Sequence, residues 1–310
     1  MAPERLAPGI VAWAVVAWVL ASLAGLLFGP IGLPIGDSLA ALASALPGVD
    51  LHHELTSTEL KVLYEIRAPR VAMGSLVGAV LATGGAAYQG VFRNPLADPY
   101  LLGVAAGAGL GATIAFGLGM ESELVTVLAF AGAIGAVATT YVLGRSMGNR
   151  TATALILAGV AVSAFATAFQ TYLLQRNVET LRSVYTWVFG RLTTVGWGEV
   201  VGLLPYAVGA SALIVFYRRS LDVLGVGDDE AAALGLDVDR VRWIVVLAAT
   251  LATAAAVSVS GLIGFVVAPL APWSERERSQ QEIAAELRAK VEEMPGARAK
   301  DPHPKNHNIR

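Results

Sequence analysis

His303 and His307 stand four residues apart, the spacing that would set two imidazoles on one helix face to hold a metal. Pro304 lies between them and breaks that helix, so the pair makes no metal site. His52 and His53 are adjacent in a polar stretch, where they either touch a haem or ferric ligand or stay solvated. No H-E-x-x-H string and no G-x-x-x-x-G-K-[ST] phosphate loop occurs, and there is no cysteine for thiolate ligands or disulfides. The remaining chemistry belongs to charged side chains at apolar boundaries. Arg67 and Arg70 precede an uncharged run over residues 71–92. "RNPLADP", residues 93–99, separates that run from another over 100–118. "GDDEAAALG", residues 227–235, sets three carboxylates before three alanines and a leucine.

The elements that must position these groups are apolar helices. The chain is 55% hydrophobic and 15% charged, with a mean hydropathy of +0.61. A helix needs about 20 apolar residues to cross the hydrocarbon core. Uncharged windows near that size recur at 6–36, 71–92, 100–118, 124–144, 151–175, 200–217 and 243–272. They predict an all-α polytopic membrane protein with about seven transmembrane helices. A soluble core would show polar stripes that these windows lack. The first window is too long for a signal-peptide core and is read as a retained helix. No histidine, ionisable pair or isolated charge interrupts the windows, which argues against an enzyme and against an ion-coupled secondary transporter. A net charge of −2 offers no basic surface for nucleic acid.

Small residues at four-residue spacing predict close helix packing: Gly74 with Gly78, and Gly103 with Gly107 and Gly111. Gln89 and Gln170 suit interhelical hydrogen bonds or a pore wall. With the amino terminus inside, the inner loops carry Arg5, Arg93, Arg145, Arg150, Arg218, Arg219, Arg240 and Arg242. The outer side carries Lys61, Arg67, Arg70, Arg176, Arg182 and Arg191, so the positive-inside tendency leans to a cytoplasmic amino terminus. "RNPLADP" is then an inner turn. Pro95 and Pro99 stop helices, while Asn94 and Asp98 satisfy free backbone groups. "GDDEAAALG" reads as a short helix with Asp228 or Asp229 as N-cap and Gly235 as C-cap. Arg67 and Arg70, read alone, are flanking residues that snorkel to headgroups.

The stretch "IRAPRVAMGSLVGAVLATGGAAYQGVFRNPLADPYLLGVAAGAGLGA" (66–112) resembles the iron-siderophore, haem and cobalamin permeases of ATP-binding-cassette importers. "LILAGVAVSAF", "WVFGRLTTVGW", "LGVGDDEAAALGLDVDRVRW" and "AVSVSGLIGF" continue the likeness in order, so it covers residues 1–265. The resemblance implies a ferric-siderophore or related metal-chelate importer, with cobalamin or haem as alternatives. It makes Arg93, Asn94, Pro95, Asp98 and Pro99 the signature inner loop. It makes residues 226–239, with Gly227, Asp228, Asp229, Glu230, Ala231, Leu234, Gly235 and Asp239, the element that sits on a partner ATPase. Arg67 and Arg70 become the dock for acidic residues of a soluble binding protein. Thr151 and Thr153 lie near the inner gate, although Thr151 also suits helix capping. The implied assembly has two permease copies (a homodimer or a pair of related chains), two ATP-binding subunits and one substrate-binding protein. It would sit in a bacterial or archaeal plasma membrane. No cofactor or metal is bound directly; ATP and Mg enter through the partner ATPase.

From Trp273 onward 15 of 38 residues are charged, a different composition from everything before. The likeness divides the chain into a permease domain, 1–265, and a charged tail, 266–310. Ser279 and Glu282 open a capping box for an amphipathic helix over 279–294 that Pro295-Gly296 ends. "LAPWSERERSQQEIAAELRAKVEEMPGAR" resembles a porter-domain segment of resistance–nodulation–division efflux pumps. The permease family normally has about ten helices. The expectation is therefore a truncated or chimeric chain that does not transport by itself.

Overall fold

The computed structural model describes residues 8–146, 152–190, 192 and 195–262, which fall within a compact unit spanning Met1–Gly264. The tail, its helix over 279–294, its efflux-pump likeness, His303, His307 and Thr151 all lie outside the described residues. Every described element is helical.

The chain starts with α1 (Pro8–Leu27) and a short α2 (Ile35–Ser44). A helical run over Ser57–Phe92 follows, made of α3 (Ser57–Lys61), a π-turn (Val62–Arg67) and α4 (Ala68–Phe92). Then come α5 (Val104–Gly117), α6 (Ser122–Ser146), α7 (Ala152–Arg176), α8 (Leu181–Val188) and α9 (Trp197–Phe216). The last are α10 (Arg218–Leu224), α11 (Asp228–Ala233) and α12 (Val238–Ser260).

Among the described residues six of these runs are long and apolar enough to cross a membrane, and the expected seventh is a shorter apolar helix. The exception is the 100–118 window. Its helix, α5, has only 14 residues, about 21 Å of rise against a hydrocarbon core of about 30 Å. Pro99, the turn at Tyr100–Gly103 and the positive φ of Gly103 consume its first residues. Burial on all sides is why α5 needs no polar stripe: Val104, Ala108, Ala112 and Ala115 are fully enclosed.

The core gathers on α12, whose apolar window is 72% buried, whereas that of α1 is 0% buried. α4 meets α12 through a buried Tyr88–Thr250 hydroxyl pair at 2.7 Å and through Gly84, beside Ala249 and Thr253. α5 and α6 approach backbone to backbone. A Cβ on Gly107 would strike the Gly132 carbonyl, and one on Gly111 the Leu128 carbonyl. Gly103 sits before α5 rather than in it, at φ +89. A Cβ added at Gly74 or Gly78 would meet nothing within 4 Å among the described residues, so neither glycine is needed there for a close helix approach.

Candidate functional site

Arg93 ends α4 with a left-handed backbone, φ 50 and ψ 39, and is the one non-glycine residue with positive φ among the described residues. That geometry costs about 1–2 kcal/mol outside glycine, so something must hold it. Two turns follow, built alike. The Asn94 side-chain oxygen accepts from the Leu96 N–H at 2.9 Å, and the Asp98 carboxylate accepts from the Tyr100 N–H at 2.6 Å. Each acceptor precedes a proline, which presets φ for the next turn position. Burial, and then the nearby Asp98 charge, push the Tyr100 phenol up to about 12.

The Arg93 guanidinium reaches Asp228 at 3.3 Å. Asp228 also takes both hydrogen bonds of Arg242 Nη2, at 2.9 Å each. One carboxylate thus joins the end of α4, the start of α11 and the first turns of α12. Arg242 is 6% exposed, so its charge depends on that partner, with Asp239 adding a 3.9 Å contact.

The geometry corrects the expected cap. Gly227, at φ 151, is the N-cap of α11, and neither Asp228 nor Asp229 caps it. Asp228 instead occupies the first helical position and turns its carboxylate to the arginines. A Cβ at residue 227 would displace the movable end of the Glu230 side chain, and the φ of 151 is what favours glycine there. At the other end Leu234 is the C-cap and Gly235 follows it at φ +84. The Gly235 N–H reaches the Ala232 carbonyl and the Leu236 N–H the Ala231 carbonyl, a Schellman closure. Ala231 is buried beneath, while Asp229, Glu230, Leu234 and Val226 face outward.

At the opposite end of the bundle Arg67 is 5% exposed. Its Nη1 donates to the Leu26 and Leu27 carbonyls at 2.9 and 2.8 Å, and its Nη2 donates to the Ile31 carbonyl. The Leu26 and Leu27 carbonyls end α1, where a cation meets the negative end of the helix dipole, and Ile31 lies in the stretch that follows. These bonds use three of the five Arg67 N–H donors. Arg70 is half-buried. The adjoining π-turn carries a further joint. Pro69 has no N–H to offer the Tyr64 carbonyl, and the Trp197 indole supplies one at 2.9 Å.

The remaining candidates are dispersed. Thr153 and Gln89 are exposed, and Gln170 lies half-buried against Gly109. His52 is exposed and His53 half-buried, and no group of three metal-ligating residues exists among the described residues. Sequence reading misses Gly144–Gly148, which has the G-x-S-x-G spacing of a hydrolase elbow. Its Ser146 ends α6 and donates to the Leu143 carbonyl at 2.8 Å, not the strand-to-helix turn that chemistry needs. It misses Arg242 as well. An arginine fourteen residues beyond an acidic cluster is the only available signal.

The FecCD transport family profile matches residues 16–271. The chain belongs to the FecCD transport family. Among curated relatives, the cobalamin import system permease protein BtuC of Halobacterium salinarum is 36% identical, over 76% of this chain and 68% of its own length. The iron(3+)-hydroxamate import system permease protein FhuB of Bacillus subtilis is 35% identical, over 80% of this chain and 66% of its own. The chain therefore spans about two thirds of the length of these FecCD relatives. A solved structure described as an inward-facing conformation of a metal-chelate type ABC transporter superposes with a TM-score of 0.70. It has 25% identity and covers 83% of this chain and 78% of that one.

Proposed function

We propose that the chain serves as a membrane-spanning permease subunit of an ATP-driven importer, carrying a ferric siderophore or related metal chelate into the cytoplasm. The observation that carries this reading is the Arg93–Asp228–Arg242 cluster, which fastens a short surface helix to two long buried ones. A push on α11 from an ATP-hydrolysing partner would travel through Asp228 into α4 and α12 together. The outward face of α11 offers such a partner the acids Asp229 and Glu230 beside the apolar Val226 and Leu234, 67% and 72% exposed. The chain has no phosphate loop of its own, so ATP and Mg would be handled by that partner. A soluble substrate-binding protein would dock on the other side, with Arg70 among its contacts, and a second permease copy would complete the pathway in the plasma membrane. Cobalamin is the second substrate reading, favoured by the Halobacterium relative's name.

Gly235→Val tests the coupling role. A β-branched residue at φ +84 opens the Schellman closure and misplaces α11. ATPase subunits reconstituted with that variant should bind poorly or hydrolyse ATP without responding to substrate. Normal substrate-stimulated hydrolysis in vesicles would remove α11 from the mechanism.

A further inference from the structure

Leu96 is 85% exposed, more than any other large hydrophobic side chain among the described residues. A lone exposed leucine needs no partner, but this one belongs to a group. It sits in the 93–99 turn, and its chain neighbour Ala97 is buried in the same apolar cluster as Leu224 of α10 and Ala231 of α11. The turn and α11 thus share one buried floor, and on the α11 side Val226 and Leu234 are exposed as Leu96 is. Turn and helix are also held as one body. The Asn94 and Asp98 side-chain bonds shape the turn, Arg93 reaches Asp228 at 3.3 Å, and Arg242 holds Asp228 in turn. Hydrocarbon is a poor cover for the three apolar side chains, because each has charged residues close by on both sides. Arg93 and Asp98 bracket Leu96, Asp222 and Asp228 bracket Val226, and Glu230 and Asp237 bracket Leu234. Exposed apolar side chains set among charges on a rigid frame are what a protein contact covers. The turn and α11 carry Asp98, Asp228, Asp229 and Glu230 against two arginines, Arg93 and the buried Arg242, so the surface is acidic.

We infer that Leu96, Val226 and Leu234 are anchors of one docking surface, so that the ATP-hydrolysing partner covers the 93–99 turn together with α11. The inference rests on the coupling role proposed for α11 and extends it to a second element. The matching face of that partner is an apolar recess with a basic border. Arg93 opens the turn and is also the C-cap of α4. A partner seated on Leu96 therefore acts on α4 directly, besides the route through Asp228.

The chain has no cysteine, so single substitutions give clean chemical reporters. Leu96→Cys and Leu234→Cys are treated with a water-soluble maleimide in nanodiscs that hold the full chain alone or joined to its ATP-binding subunit. Both cysteines should react freely in the chain alone and about tenfold more slowly in the complex, where the contact excludes water. Leu96→Asp should weaken binding of the ATP-binding subunit about tenfold, and Leu96→Met should keep it, with melting unchanged in both. Protection of Leu234→Cys without protection of Leu96→Cys overturns the inference and leaves the α11 role standing. A Leu96→Cys that ignores the water-soluble maleimide but takes a lipid-soluble one places the side chain in the bilayer and overturns it too. So does a Leu96→Asp variant that melts normally and binds the subunit as tightly as the unaltered chain. Protection at neither position ends both readings.

Discussion

Arg67 and Arg242 are almost equally buried, at 5% and 6% exposed, yet they are satisfied by opposite means. Arg67 gives three N–H donors to backbone carbonyls, two at the end of α1 and one, of Ile31, just beyond it. Arg242 spends its Nη2 on the Asp228 carboxylate and keeps a spare Nε–H. Carbonyls cannot be exchanged without unwinding the chain, so the first arrangement is a fixed joint. A carboxylate on a six-residue surface helix can trade partners, so the second is a joint that can move. The Arg67 end holds α1 to the bundle, and the Arg242 end keeps α11 engaged while leaving it room to move.

The comparison can be broken by mutation, beginning with the largest effect. Arg67→Ala leaves three carbonyls short of donors and should cost about 3 kcal/mol of stability. Unfolding in nanodiscs measures it, and a loss below a few tenths of a kcal/mol would show that water replaces the arginine. Asp228→Asn should cost less, about 1–2 kcal/mol, because its side chain is 41% exposed and solvent screens the pair. Its main result should be functional, with substrate-stimulated ATP hydrolysis falling while the fold persists. If this variant unfolds as readily as Arg67→Ala, the two joints are not different in kind. Trp197→Phe keeps the ring and removes the indole donor from the Tyr64 carbonyl. It should cost about 1 kcal/mol, read as a small drop in melting temperature with α11 coupling unchanged.

Local features of the fold are legible in the sequence. The long apolar windows become helices because nothing else hides a backbone in hydrocarbon. Asn94 and Asp98 are legible as turn formers because each bonds an N–H two residues on. The short α5 is not legible from hydropathy, since an uncharged turn at 100–103 looks the same as a helix on that scale. Nor are the pairings of Arg67 with residues some forty positions earlier, because no sequence spacing encodes which helix end lies beside an arginine. Asp228 reads as a cap because aspartate favours caps. The buried Arg242 outbids the free N–H groups of α11, and Gly227 takes the cap position instead.

The π-turn at Val62–Arg67 also sets an angular phase. A π-turn adds one residue to a helix, and each residue advances an α-helix by about 100°. Everything upstream is therefore rotated by about that angle relative to an uninterrupted helix, while α4 keeps its place against α12. Lys61 stands on that rotated stretch. A one-residue change in length here would re-aim its charge around the axis of that stretch and leave the buried register untouched. The π-turn thus uncouples the direction of the Lys61 side chain from the packing of α4 against α12.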